Sequence, residues 1–362
     1  MKSIEHVGLL ELATITTGSS NTVDSKEEGA YPFFDRSQVV KRSDKYLYDS
    51  EAVIVPGEGM EFIPRYYKGK FDLHQRAYAV FPKDCVDGQY LYYAIYANRS
   101  HFSQVATGST VKSLRLKSFE LMNVPIRDIV EQRMIAHILS SIDAKIDLNR
   151  TINDNLLKSA RVAFTEMMST SELSDSVLSD VASITMGQSP PGDSLSEDDT
   201  GVLFYQGRAE FGSVFPTPRL YTTDPKRMAK QGSILMSVRA PVGDINIALD
   251  ECCIGRGLAA IESNNGQQGF VHYLMDYLRP ELDIFNGDGT VFGSINKESV
   301  NGLEISLPEQ KSIEQFNMYA DSVDAEIRSN HLEILKLSEI RDYLLPKLMS
   351  GEIDVSTLEI PN

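Results

Sequence analysis

Cysteine is scarce in this chain: Cys85, Cys252 and Cys253 are the only three. None stands in a C-x-x-C spacing, so neither a disulfide framework nor a zinc site is expected. The six histidines form no HExxH and no other paired-ligand pattern. No apolar run reaches the roughly 18 residues a membrane helix needs, and residues 1–5, MKSIE, lack the basic start and apolar core of an export signal. A cytoplasmic chain with no membrane partner is expected. P-loop, G-x-S-x-G and paired-acid nuclease patterns are missing as well, so no catalytic residue is nominated. Positive charge is also short, with 35 Lys and Arg against 51 Asp and Glu for a net charge of -16. That argues against a generic nucleic-acid coat, which displaces counterions with Lys and Arg.

What is present suffices for two or three domains, since 362 residues at 42% hydrophobic can bury real cores. The acid is unevenly placed. Residues 1–125 carry 15 basic and 15 acidic side chains, whereas residues 169–307 carry 9 and 19.

The chain repeats itself. LLELATITTGSS (9–20) returns as VLSDVASITMGQS (177–189), HQRAYAVF (74–81) sits opposite GRGLAAIE (255–262), and GSTVKSLRLKSFELMNVPI (108–126) parallels GTVFGSINKESVNGLEISLP (289–308). Each copy ends in Glu-Gln and a long helical pattern. Short β-rich runs such as AVIVP (52–56), AYAVF (77–81), SILMSV (233–238) and LEISLP (303–308) are bounded by turn residues, and QYLYYAIYANR (89–99) and QGFVHYLMDYLR (268–279) read as corresponding helices. The fold class expected is α+β: two globular domains related by a pseudo-twofold, each followed by a long helix. The boundaries follow as domain 1 at 1–126, helix 1 at 127–168, domain 2 at 169–308, helix 2 at 309–350 and a tail at 351–362.

The helices carry a seam at alternating steps of four and three. In the first it runs through Ile135, Leu139, Ile142, Ile146, Asn149, Asn153 and Leu156, and in the second through Phe316, Val323, Ile327, Asn330, Ile334 and Leu337. Asn149 and Asn330 share the repeat offset of 181 residues. Antiparallel pairing about a twofold therefore predicts that these two asparagines meet, fixing register at some cost in stability. A seam of about 33 residues would span about 50 Å at 1.5 Å per residue, somewhat more than the 34 to 36 Å of one DNA turn.

Two motifs are ambiguous by themselves. GRGLAA (255–260) matches a dinucleotide fingerprint in letters, yet its first-copy counterpart QRAYAV has none of those glycines and a strand end, not a long helix, follows. GQSPPG (187–192) marks a rigid turn.

Taken with these, FYQGRAEFGSVFPTPRLYTTDPKRMAKQGSILMSVRAPVGDINIA (204–248), CCIGRGLAAIE (252–262), the GTVFGSINKESV stretch and the terminal LLPKLMSGEIDVS (344–356) resemble the specificity subunit of type I restriction-modification systems. The resemblance covers nearly the whole chain. It implies a non-enzymatic subunit whose two target recognition domains each read one half of a split double-stranded DNA sequence. The long helices would form an antiparallel coiled coil that spaces the halves and docks two methyltransferase subunits, joined by restriction-translocase subunits. No cofactor is expected on this chain, and S-adenosylmethionine is expected on the methyltransferases, which modify adenine. The first copy departs from the pattern, with VPGEG (55–59) where the second has SVRAPVG (237–243). Two domains that read different sequences need different side chains there.

Base readout uses Arg or Lys on guanine and Asn or Gln on adenine. In the second copy the DNA-binding candidates are Gln206, Arg208, Arg219, Arg239 and Arg256, and in the first Arg65, Lys68, Lys70, Gln75, Arg76 and Lys112. Two other functions stand beside DNA reading: a coiled-coil interaction module that has lost it, and an enzyme that holds a nucleotide cofactor on GRGLAA.

Overall fold

The computed structural model describes residues 5–287 and 293–358. The opening of the second GTVFGS stretch, at 289–292, falls outside the described residues. The chain divides into two compact units, one of residues 1–148 with 333–362 and the other of residues 149–332. These are not the consecutive segments expected from sequence. The long helices, Ile129–Thr170 and Gln310–Ser350, have 42 and 41 residues, or about 60 Å each at 1.5 Å per residue. That exceeds the 33-residue seam, and each helix contributes one half to each unit.

In the first unit, strands β1 (Glu5–Gly8), β2 (Ala13–Thr17), β3 (Tyr31–Phe34), β4 (Lys41–Ser43), β5 (Tyr48–Pro56), β6 (Arg65–Leu73), β7 (Ala77–Pro82) and β8 (Asn123–Ile126) precede the first long helix. Six form one sheet in the order β2-β7-β5-β6-β3-β4, and β1 pairs with β8. AVIVP becomes the buried end of β5 because a strand flanked on both sides needs apolar side chains on both faces. The helix Gly88–Ala97 starts at Asp87, whose carboxylate accepts the Tyr90 N–H at 3.0 Å, a standard N-cap. Its Tyr90 and Leu91 pack in a core with Val53, Val80 and Phe119, closed by Ile135 and Leu139 of the first long helix and Leu345 and Leu348 of the second.

The second unit holds β9 (Ser174–Val177), β10 (Ala182–Met186), β11 (Leu195–Ser196), β12 (Val202–Tyr205), β13 (Leu220–Thr222), β14 (Met228–Ala229), β15 (Ile234–Ser237), β16 (Ile245–Ile247), β17 (Cys252–Ile254), β18 (Leu258–Ser263) and β19 (Glu304–Leu307). They form the sheets β10-β18-β15-β16 and β11-β13-β12-β17-β14 and the pair β19-β9. Phe164 of the first long helix and Phe316 of the second lie 5.2 Å apart, ring to ring, in the core beneath. Repetition reaches the joints: Asp143 accepts the Tyr93 hydroxyl at 2.6 Å in the first unit, and Asp324, 181 residues on, accepts that of Tyr273 at 2.9 Å in the second.

Within each unit the long-helix halves run in opposite directions. Asp143 meets Arg341 at 3.0 Å and Arg127 donates to the Leu348 carbonyl in the first. Asn153 meets Ile327 and Asn330, and Ser159 meets Tyr319, in the second. Ile135, Leu139, Ile146, Asn149, Asn153, Phe316, Val323, Ile327, Asn330 and Ile334 are buried, and Ile142, Leu156 and Leu337 partly so. The asparagine contact differs from expectation. Asn330 donates to Asn153 Oδ1 at 2.9 Å, and Asn153 donates to the Ile327 carbonyl at 3.1 Å. Asn153 stands one turn from Asn149 on the same helix face, so both are within reach of a side chain opposite. Asn149 itself is fully buried.

Candidate nucleic-acid interface

In the second unit, β12 and β17 run parallel with Tyr205 opposite Ile254, so both chains leave the sheet on one side. Leu258 opens β18 there, with Ser237 of β15 opposite it and Met186 of β10 opposite Ala259. The C-terminal ends of four strands therefore converge. Glycine makes the convergence possible: a β-carbon on Gly257 would come 2.7 Å from the Gln206 carbonyl, and one on Gly187 would collide with the Gly255 carbonyl. GRGLAA is this turn between two strands. It runs into β18 and opens no helix, so the strand-turn-helix setting of a dinucleotide site is missing here.

The converging loops line an open depression of about 230 Å³ that includes Ser189, Gln206, Arg208, Arg239 and Arg256. Four candidates from distant parts of the sequence thus share one mouth. Gln206, Arg239 and Arg256 are exposed, and none of the three side chains has a hydrogen bond or ion pair among the described residues. Arg208 is held by Asp244 at 2.5 Å. Arg219 does not line the mouth and is paired with the buried Glu210 at 2.7 Å. Ser189 marks where the GQSPPG loop enters the site.

The first unit builds the same mouth with other side chains. Phe34 and Leu73 pair as Tyr205 and Ile254 do, which sets Gln75 in the place of Arg256. Gln75 and Arg76 are exposed, and Gln75 donates to Asn21 at 2.5 Å. Arg76 shares Glu58 with Arg36, at 2.7 and 2.8 Å. Burial raises the Glu58 carboxyl pKa, but the two guanidinium groups outweigh this and hold it below the usual carboxylate range. Asp35 behaves likewise, its burial outweighed by Lys41 at 2.7 Å and by Ser37.

Other first-unit candidates lie elsewhere. Arg65 is half-buried and donates to the Ser37 carbonyl at 2.6 Å, so its donors are spent on loop backbone. Lys112 is half-buried and bonds the Ser103 carbonyl at 2.8 Å. Lys68 and Lys70 project from β6, Lys70 over the Tyr46 ring at 4.8 Å. Sequence reasoning missed Arg36 and Glu58. The signal available was the juxtaposition of VPGEG with SVRAPVG, which sets Glu58 near Arg239.

Arginine forks and primary amides match base edges in the major groove. No group of three or more His, Cys, Asp or Glu suited to a metal occurs among the described residues. Such donors, offered from loop tips on two copies of one fold, define a sequence-reading protein of the DNA-recognition class.

Comparison with known proteins agrees. A family model described as the type I restriction modification DNA specificity domain matches residues 1–158. The MjaX chain of Methanocaldococcus jannaschii, named as a putative type I restriction enzyme specificity subunit, is 33% identical over 303 residues, 74% of this chain and 69% of that one. The MjaIX specificity subunit of the same organism is 23% identical over 317 residues, 77% and 72% of the two chains. A crystal structure of the type I S subunit from M. genitalium superposes with a TM-score of 0.67 at 17% identity, over 96% of both chains, a likeness of fold. The chain belongs to the family of type I restriction-modification specificity subunits.

Proposed function

We propose that this chain reads a split DNA target, one half-site per unit, as the non-catalytic recognition subunit of a type I complex. The observation that carries the reading is the duplicated mouth, with Gln206, Arg239 and Arg256 in one unit and Arg36, Gln75 and Arg76 in the other. The long helices form an antiparallel coiled coil about a pseudo-twofold. They act as the spacer between half-sites and dock two methyltransferase subunits, which carry S-adenosylmethionine and modify adenine. Restriction-translocase subunits complete the assembly, in the cytoplasm. A net charge of -16 assigns much of the phosphate contact to those partners, because counterion release needs Lys and Arg.

Co-expression with the cognate methyltransferase, followed by methylation mapping of the host genome, tests this. The expected result is a single two-part motif with a fixed spacer. A stable complex that yields no motif would refute DNA reading and leave the interaction-module function.

A further inference from the structure

Glu58 and Arg239 occupy one backbone position in the two copies. In the first unit the Gly57 N–H donates to the Arg76 carbonyl at 2.9 Å and its carbonyl accepts the Leu114 N–H at 2.8 Å. In the second the Val238 N–H donates to the Gly257 carbonyl at 2.9 Å and its carbonyl accepts the Ile295 N–H at 3.1 Å. One residue on, Glu58 bridges to Ser113 and Arg239 to Ser294, 181 residues apart. The next residues repeat the match, with Gly59 donating to the Lys112 carbonyl and Ala240 to that of Gly293, both at 3.0 Å. The frame is the same and the charge is reversed.

The two side chains do different things. Arg239 is exposed and free of partners among the described residues, so its own fork can meet a base. The Glu58 side chain is only 13% exposed, and each oxygen is taken by one arginine, Oε2 by Arg36 Nη1 and Oε1 by Arg76 Nη1. Those arginine side chains are 59% and 56% exposed. Each spends a single nitrogen on Glu58 and makes no other side-chain bond among the described residues, which leaves Nε and Nη2 unspent. Guanine asks for two parallel donors at O6 and N7, and a guanidinium fixed at one corner offers them in a set orientation.

Resting on the reading proposed above, we infer that Glu58 is a specificity-determining positioning residue, which holds the Arg36 and Arg76 forks so that the first unit reads guanine. The second unit places a reading arginine directly at the same position. A carboxylate that merely neutralised two surface cations would behave otherwise, since removing it would strengthen DNA binding at every sequence.

The test uses the full chain with its cognate methyltransferase, comparing the wild type with Glu58→Gln, Arg76→Lys and Arg239→Ala by genome methylation mapping. Thermal unfolding of each variant is measured alongside. Glu58→Gln is expected to lower the preference for guanine in one half-site by about ten-fold or more, as loss of a bidentate contact does, with the other half-site intact. Arg76→Lys keeps the charge but loses the fork, and is expected to relax the same half-site. Unchanged selectivity in both first-unit variants, while Arg239→Ala relaxes the opposite half, would overturn the inference and leave DNA reading standing. Raised methylation irrespective of sequence in Glu58→Gln would overturn it too. A Glu58→Gln chain that unfolds early, beside an Arg76→Lys chain with wild-type selectivity, would assign Glu58 to structure alone. No split motif from the wild type would remove the underlying reading itself.

Discussion

Asn153 and Asn330 show how little a single amide has to do to matter. Each is more than nine-tenths buried, and the bond between them at 2.9 Å satisfies groups that would otherwise face apolar side chains. Asn153→Leu strands the Asn330 amide and is expected to cost about 1–3 kcal/mol, whereas the double change to leucine should be near neutral. Denaturant titration of both singles and the double gives the coupling directly. His74 makes a different demand. It is 6% exposed, and its Nδ1 accepts the Arg76 backbone N–H at 3.0 Å, which requires the neutral ring. Burial lowers its pKa below the ordinary 6.5. Arg36 and Arg76 push the same way, and Asp35 and Glu58 oppose. The unfolded chain therefore takes up the proton first as pH falls. Stability from the neutral ring is full above about pH 6.5 and is lost progressively from there down to the lowered folded value. The drop in unfolding midpoint between pH 7.5 and 5.5 is expected to be smaller in His74→Gln than in the wild type.

At the scale of strands and turns, backbone approach builds the mouth. Gly187 has no room for a β-carbon against the Gly255 carbonyl, so Gly187→Ala is expected to cost about 1–3 kcal/mol as overpacking does, read as a lower denaturant midpoint. Much at this scale was legible in the sequence. AVIVP and AYAVF became β5 and β7, and the two Glu-Gln signals opened the long helices, because apolar periodicity and turn residues act locally. The repeat offset of 181 also carried the tyrosine-aspartate joints, although no one residue announced them. Arg65 was out of reach of such reading. It begins β6 as an ordinary strand cation, and only the chain folding back at Ser37 claims its donors. Arg36 and Glu58 are 22 residues apart and meet only where β3 and β5 end in the same place. The Asn149 expectation followed from the repeat offset, while the observed bond to Asn153 depends on side-chain reach across one helical turn.

For the whole molecule, separate cores predict separable reading. Each unit closes its own core with halves of both long helices. Replacing residues 1–125 with the matching segment of a relative of different target is therefore expected to rewrite one half of the methylated motif and leave the other unchanged, as mapped by sequencing. The shared position of Glu58 and Arg239 carries this further. Backbone hydrogen bonds and glycines hold the frame at that place, and the reading side chains contribute nothing to it that the other copy lacks. Address and architecture are thus written in different atoms, and a gene of this kind can drift to a new address one codon at a time while the protein it encodes goes on folding.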